Sequence, residues 1–130
     1  MERKTFSQGA LPYRVDAEVV FIGSDLLVIL SGGDTPHIGS VAVALPRPSL
    51  ADAGKISSTS SVYNVVGHKE QAIAQQVSEV LSAQLNRQVV VIAGFHIDNI
   101  STEGIAQVLE NCDGLARMIL KELERSPASR

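Results

Sequence analysis

The chain has 130 residues, 45% of them hydrophobic, and its formal net charge is −3. A chain of this length suits one domain that buries roughly two-thirds of the surface exposed in the unfolded state. The acidic balance and the lack of a basic stripe exclude a nucleic-acid footprint, and a single cysteine excludes an internal disulfide. No apolar stretch has the length of a membrane span or follows the start as a signal segment would, so we expect a cytoplasmic protein without a membrane partner. The domain is predicted over residues 1–125, with a disordered tail over residues 126–130.

Three segments in the first half of the chain have the pattern of β-strands. Residues 13–22 alternate apolar and polar positions, which predicts a strand with one buried face. Residues 26–30 are apolar at every position, which is typical of a central strand. A third apolar run, residues 41–45, ends at Pro46. We predict that these three strands form an antiparallel meander.

Residues 47–67 have the weakest pattern. The segment 56–63 is rich in serine, which is compatible with a fourth strand or with a surface loop. The hydroxyl groups at residues 57–61 lie just before the motif Gly67-His68-Lys69. They are therefore either polar groups of a surface linker or hydrogen-bond donors to a ligand, and the sequence leaves both alternatives open.

The second half of the chain predicts a helix, a strand and a second helix. Apolar residues have helical spacing from Lys69 to Leu85, and the run 89–93 is wholly apolar. The second helix begins near Ser101, whose hydroxyl is a suitable cap, and the poor helix-forming segment 111–114 predicts a kink or break. We therefore predict an α+β fold with a single mixed β-sheet, the meander plus one or more further strands, and two helices packed on it.

The glycine-rich segment between the second and third predicted strands is the strongest functional signal. It contains Gly32, Gly33 and Gly39 together with Pro36 and His37. Adjacent glycines let the backbone approach a ligand closely, and the proline stiffens the connection. The same composition also suits an ordinary turn, so the segment alone does not establish a binding site.

All three histidines lie in short glycine-containing motifs, at His37, His68 and His96. The helix that begins at Lys69 should run antiparallel to the strand that follows it, so its start should lie near His96. Both helices would then direct free backbone N–H groups toward one edge of the sheet, which suits an anion. The Gly32–Gly33 pair and His37 reach that edge only if the second and last strands are parallel.

Catalytic alternatives have weaker support. Three imidazoles can hold zinc with an open position, but the histidine spacing matches no compact metal motif. Cys112 falls on the predicted buried face of its helix, where thiols are usually inert, and no nucleophile elbow, phosphate loop or dinucleotide motif is present. We predict no catalytic residue and no metal ligand. A small histidine-dependent metalloenzyme, of hydrolase type, is the alternative function.

The ordered set of glycine and histidine motifs, over roughly residues 13–123, resembles the prenylated-flavin chaperones of LpdD type. The motifs are Gly32-Gly33-x-x-Pro36-His37-Ile38-Gly39, then His68-Lys69 at a helix start, then Ala93-Gly94-x-His96 closing a strand. The resemblance implies a non-catalytic accessory protein that binds prenylated FMN, or FMN, and delivers it to a UbiD-type decarboxylase of hydroxylated aromatic acids. It also implies a flavin prenyltransferase as a further partner.

The chemistry of these residues agrees with what the resemblance implies. The flavin phosphate suits the helix N-termini, the glycine N–H groups, His37 and Lys69, and the ring suits an apolar slot lined by Ile38, Phe95 and Ile97. A lysine in a first helical turn opposes the helix dipole, which a bound anion would offset. The predicted cofactor-binding residues are Gly32, Gly33, Pro36, His37, Ile38, Gly39, His68, Lys69, Gly94 and His96.

The strand over residues 26–30 also motivates a prediction of oligomeric state. It is apolar on both faces, and Tyr13, Phe21 and Ile22 add apolar surface. Because contiguous exposed apolar surface is typical of interfaces, we expect a homo-oligomer, most simply a homodimer.

Overall fold

The computed structural model describes residues 1–65 and 69–125, and it excludes the side chains of Lys69 and Arg125. The predicted tail, residues 126–130, and His68 lie outside the described residues. The elements follow in the order β1 (Arg3–Gln8), β2 (Val15–Ile22), β3 (Asp25–Gly33), β4 (Ser40–Pro48), β5 (Ile56–Asn64), α1 (Lys69–Leu85), β6 (Val89–His96) and α2 (Thr102–Arg125).

The six strands form one mixed sheet in the order β1-β2-β3-β6-β4-β5. Strands β3 and β6 are parallel, and all other neighbouring pairs are antiparallel. Both helices pack on the sheet. The predicted α+β class with a single mixed sheet and two packed helices is therefore confirmed.

The predicted meander is wrong in its third strand. β2 and β3 do pair antiparallel, but β6 lies between β3 and β4. The connection from β3 to β4 is therefore not a hairpin, and it passes over the end of β6, where the N–H of Gly39 donates to the carbonyl of Ala93 at 2.9 Å. The wholly apolar β3 and β6 occupy the two central positions together, because each has two faces to shield from water.

Strands β1 and β5 form the two edges of the sheet. β1 was not predicted, because among its helix-facing residues Lys4, Phe6 and Gln8 only one is apolar. The serine-rich segment is the strand β5, which resolves the choice between strand and loop. The Ser58 hydroxyl donates to the carbonyl of Glu79 in α1 at 2.8 Å, and the Ser60 hydroxyl donates to the Glu79 carboxylate at 2.6 Å.

The helix α1 has the predicted bounds, whereas the break predicted in α2 is wrong. Residues 111–114 continue the helix because tertiary contacts use their side chains. Asn111 is buried, and its Nδ2 donates to the carbonyl of Tyr13 at 2.8 Å. Gly114 lets Gln8 of β1 approach closely, since a Cβ there would lie 3.1 Å from the Gln8 side chain. No helix within residues 1–65 and 69–125 is long and apolar enough to span a membrane.

The core lies between the helices and one face of the sheet. Val19 of β2, Val28 of β3 and Val91 of β6 are fully buried there, together with Leu81 of α1 and Leu115 of α2. On the opposite face, the three inner strands β3, β6 and β4 carry half-buried or exposed aliphatic side chains. We call these residues the open-face patch: Leu27, Ile29, Val90, Ile92, Val41, Val43 and Leu45.

Candidate functional site

The predicted motif residues meet at one end of the sheet. Because β3 and β6 are parallel, their last residues lie side by side, with Gly33 opposite His96. The helix α1 begins at the same end, where Glu70 Oε1 accepts a hydrogen bond from the N–H of Phe95 at 3.3 Å. The parallel pairing on which this convergence depends is therefore confirmed. We call the end formed by residues 32–39, residues 94–96 and the start of α1 the glycine–histidine edge.

The start of α2 lies beside the first residues of β2. The Ser101 hydroxyl accepts a hydrogen bond from the N–H of Gly104 at 3.0 Å, so the predicted cap is confirmed. A Cβ on Gly104 would lie 2.8 Å from the ring of Tyr13, which precedes β2. Both helix N-termini are thus at the end of the sheet where β3 and β6 finish.

Glycines at this edge allow the connection between β3 and β4 to lie directly on β6. A Cβ on Gly94 would overlap the carbonyl oxygen of His37, and a Cβ on Gly33 would overlap the carbonyl oxygen of His96. Gly33 also has a φ of 80°, a conformation that favours glycine. The N–H of Asp34 donates to the carbonyl of His96 at 2.7 Å. These glycines therefore serve close backbone packing, whatever else they contact.

Glu70 is the main residue at this edge that was not predicted from the sequence as a site residue. The residue is only 8% exposed. Its Oε1 accepts a hydrogen bond from the N–H of Phe95 and lies 3.3 Å from Nε2 of His37. Its buried Oε2 has no hydrogen-bond partner among the residues that the structure describes. A Cβ on Gly39 would overlap Oε2. The sequence contains one indication that Glu70 belongs to the site: it is an acidic residue in the first helical turn, directly after a glycine–histidine motif.

The surroundings of His37 constrain where its protons lie. Its Nδ1 is 3.1 Å from the carbonyl oxygen of Thr35, and since a carbonyl only accepts, Nδ1 is the donor in that hydrogen bond. Its Nε2 faces the Glu70 carboxylate. A carboxylate beside the imidazole disfavours an approaching phosphate. From the sequence, by contrast, His37 was predicted to contact the phosphate.

His96 lies further toward solvent, with its side chain 55% exposed. Its Nε2 is 2.8 Å from Oδ1 of Asp98, and Oδ2 of Asp34 accepts a hydrogen bond from the N–H of Asp98 at 3.3 Å. His37 and His96 therefore each have a carboxylate oxygen within 3.3 Å of Nε2. Among residues 1–65 and 69–125, no group of three or more His, Cys, Asp or Glu side chains is arranged to hold a metal ion.

The remaining predicted residues are only partly located. The backbone of Lys69 begins α1 at the glycine–histidine edge, but its side chain is outside the described part of the chain, as is all of His68. Ile38 is 57% exposed in the connection, next to Val65, which is 53% exposed. Phe95 and Ile97, the other two residues predicted to line a ring slot, are half-buried and pack against the core.

The fold accounts for three further side chains with hydrogen-bonding or reactive groups, those of Ser58, Ser60 and Cys112. The serine hydroxyls of β5 that face the helices, Ser58 and Ser60, donate to Glu79, as described above. The Cys112 thiol is buried between the helices and the sheet, and burial raises its pKa to about 12. The thiol therefore stays protonated at neutral pH, which agrees with the expectation that it is inert.

Comparisons with known proteins assign the chain to a family. The model of a family described as "Prenylated flavin chaperone LpdD-like domain" matches residues 9–124. Protein LpdD of Lactiplantibacillus plantarum is 28% identical over 123 residues, which cover 95% of this chain and 87% of that protein. A crystal structure of a chaperone complex for yeast 20S proteasome assembly contains a chain with a similar fold. Its TM-score is 0.63 at 11% identity, and the match covers 96% of this chain and 98% of that one.

The residues that the family model matches include the six predicted site residues before β4 and also Gly94 and His96. The six are Gly32, Gly33, Pro36, His37, Ile38 and Gly39. The similarity to the yeast chaperone complex, at 11% identity, concerns the fold alone. The chain belongs to the family of prenylated-flavin chaperones of LpdD type.

Proposed function

We propose that this protein binds prenylated FMN, or FMN, at the glycine–histidine edge and delivers it to a UbiD-type decarboxylase without catalysing decarboxylation itself. One observation carries the proposal. The motif residues come from distant parts of the chain, and the pairing of Gly33 with His96 and the packing of His37 on Gly94 bring them together at one edge. A flavin prenyltransferase is the proposed source of the cofactor.

The residues at the edge fit a flavin in three respects. The absence of a side chain on Gly39 lets the Glu70 carboxylate lie against the connection, and one buried oxygen of Glu70 has no partner among the described residues. Ile38 and Val65 present apolar surface to solvent, which suits an aromatic ring. The first turn of α1 offers backbone N–H groups and carries Lys69, which suit a phosphate.

Within this proposal, Lys69 is a better phosphate ligand than His37. The Glu70 carboxylate lies 3.3 Å from Nε2 of His37, and this carboxylate repels a phosphate. We therefore assign the phosphate to Lys69 and the N–H groups at the start of α1. His37 is assigned to the part of the flavin that carries no phosphate.

Titration of two variants with FMN and riboflavin tests this assignment. Lys69→Ala should weaken FMN binding by roughly 10- to 150-fold, since one charge-assisted hydrogen bond is lost, and should leave riboflavin binding unchanged. His37→Ala should change the affinities for FMN and riboflavin by the same factor. Lys121→Ala, which removes an exposed lysine in the last third of α2, is the matched control and should bind both ligands as wild type does.

Each variant has an outcome that contradicts its assignment. Unchanged FMN affinity in Lys69→Ala would remove the lysine from the phosphate site, and a loss specific to FMN in His37→Ala would return the phosphate to the histidine. Protein purified beside a flavin prenyltransferase should show flavin absorption and no stoichiometric metal. Turnover of a hydroxylated aromatic acid by the flavin-loaded protein alone would overturn the proposal of a non-catalytic role.

We also propose that the protein is a homodimer in which two copies pack their open-face patches together. The whole open face of the sheet, with six strands about 4.8 Å apart and about eight residues long, measures roughly 700 Å², and the patch is its apolar centre; contact over the whole face approaches the ~800 Å² per partner of a stable interface. On the β1–β2 side of the patch the charges are paired, Arg3 with Glu18 and Arg14 with Asp16, each at 3.0 Å, and on the β5 side Nε of Arg47 donates to the Thr59 hydroxyl at 2.6 Å. Because the two ion pairs are neutral overall, they do not oppose a second copy or favour a strongly charged partner.

A further inference from the structure

We propose that Glu70 is a flavin-binding residue, and that its unpartnered oxygen accepts a hydrogen bond from an N–H or O–H group of the flavin outside the phosphate. This inference rests on the proposed function, because it names a group that recognises the same ligand. No glutamate was among the predicted site residues.

The structural role of Glu70 needs only one of its two oxygens. Oε1 accepts the N–H of Phe95 and so ties the start of α1 to the end of β6. An amide would accept that hydrogen bond equally well. The second oxygen, Oε2, is buried without a partner among residues 1–65 and 69–125, although nearly all buried polar atoms in folded proteins have one. A carboxylate at this position therefore has acceptor capacity that the described part of the chain does not use.

The residues around Oε2 are consistent with this role. Gly39 lies against the oxygen, and a Cβ at that position would occupy the same space. The ends of the connection that carries Gly39 are held by hydrogen bonds, from Asp34 to His96 and from Gly39 to Ala93. The exposed Pro36 and Ile38 lie between these two anchors. Because Gly39 covers Oε2, a ligand donor reaches that oxygen only when Gly39 is displaced.

The charge of Glu70 determines which part of the flavin it contacts. A carboxylate attracts N–H and O–H donors and repels a phosphate dianion. The donors of a flavin are the ring N–H at its pyrimidine end and the ribityl hydroxyls. Glu70 therefore orients the ligand, with the ring or the ribityl chain at the carboxylate and the phosphate directed toward Lys69.

The position of Glu70 in the first turn of α1 also has a purely structural explanation. A negative side chain near a helix N-terminus stabilises the helix through the helix dipole. That explanation accounts for a carboxylate in the first turn but not for burial of one oxygen without a partner. Because both explanations predict some loss of stability on substitution, the measurement that separates them is ligand affinity.

The test uses Glu70→Gln, which keeps the shape of the side chain and an acceptor for Phe95. Affinities are measured for three probes: FMN, riboflavin, and lumiflavin, which has the ring but no ribityl chain. Glu70→Gln should weaken FMN and riboflavin equally, on the order of tenfold, since a charge-assisted hydrogen bond becomes a neutral one. An equal loss for lumiflavin identifies a ring N–H as the donor, whereas unchanged lumiflavin affinity identifies a ribityl hydroxyl.

The control is Glu103→Gln, which removes the exposed acidic residue in the first turn of α2. It should leave all three affinities unchanged, and melting curves of both variants show whether they fold. A folded Glu70→Gln protein that binds FMN and riboflavin as wild type does would overturn the inference while the proposed function stands. Tighter FMN binding by Glu70→Gln would place the phosphate beside Glu70 and also overturn it. If the wild-type protein binds no flavin, the proposed function fails, and this inference fails with it.

Discussion

At the scale of single residues, the glycines of the motifs have a structural purpose that is independent of any ligand. Gly94 lies under the carbonyl of His37, and Gly39 lies against the carboxylate of Glu70. A methyl group on Gly94 would force the connection between β3 and β4 away from β6, and one on Gly39 would displace the Glu70 carboxylate. In the sequence, these glycines resemble a segment that contacts a ligand. In the folded chain, they first allow the close packing that brings His37 and Glu70 together.

Gly94→Ala should lower the stability of the protein by about 1–3 kcal/mol, because the new Cβ would overlap a backbone oxygen that cannot turn aside. For a domain of this size, that loss corresponds to a decrease of several degrees in the melting temperature. Gly54→Ala is the matched control, since a Cβ there would meet only the Asp52 carboxylate, at 3.4 Å. Thermal unfolding that is the same for Gly94→Ala and Gly54→Ala would show that the connection does not lie on β6 as described.

At the scale of elements, α2 shows how tertiary contacts override helix propensity. The segment 111–114 contains an asparagine, an aspartate and a glycine, all poor helix formers. The Asn111 amide nevertheless bridges to the chain before β2, while its Oδ1 accepts a hydrogen bond from Gln107 at 3.0 Å. The Asp113 carboxylate pairs with Arg117 one turn later. Each poor helix former therefore has a contact that only the helical conformation provides.

Asn111→Ala should destabilise the protein by about 1–2 kcal/mol. The buried carbonyl of Tyr13 loses its donor, which costs about 1–3 kcal/mol, and the better helix propensity of alanine offsets a few tenths. Urea unfolding measures the change. Glu110→Ala, at the exposed neighbouring position, should stay within about 0.5 kcal/mol of wild type. Equal stability of the two variants would mean that the Asn111 hydrogen bond does not hold α2 to β2.

At the scale of the whole molecule, the helices cover one face of the sheet and leave the other open. A half-buried aliphatic surface across three inner strands is unusual for a monomer and typical of an interface. The open-face patch lies along β3, β6 and β4, and the glycine–histidine edge adjoins it where β3 and β6 end.

The substitution Leu45→Lys tests the proposed dimer, because it places a charge on the patch. Leu45 is 52% exposed, so the substitution should have little effect on the fold. Light scattering should give the mass of a dimer for wild type and of a monomer for Leu45→Lys, because burying an unpaired lysine at an interface is costly. Ile29→Lys, on β3 at the other side of β6, is a second variant. Leu50→Lys changes an apolar residue that is 93% exposed in the β4–β5 connection, and it should stay dimeric. A monomeric wild-type protein at micromolar concentration would refute the proposal.

The sequence by itself determined the elements and the motif residues. Alternation over residues 13–22 and helical spacing over residues 69–85 gave correct elements, because local periodicity reports which side of each element is buried. The family resemblance drawn from the glycine and histidine motifs was also correct. The sequence could not supply β1, whose alternation is mostly polar, since an edge strand buries little apolar surface.

Only the tertiary structure decided which strands are neighbours and which polar group is buried. The insertion of β6 between β3 and β4 depends on pairing between segments more than 40 residues apart, which leaves no trace in local periodicity. Glu70 looks like an ordinary solvent-facing acid of a first helical turn in the sequence. Its burial against Gly39 and His37 results from the connection that crosses β6. The position of this carboxylate at the centre of the candidate site is therefore recognisable only in the folded chain.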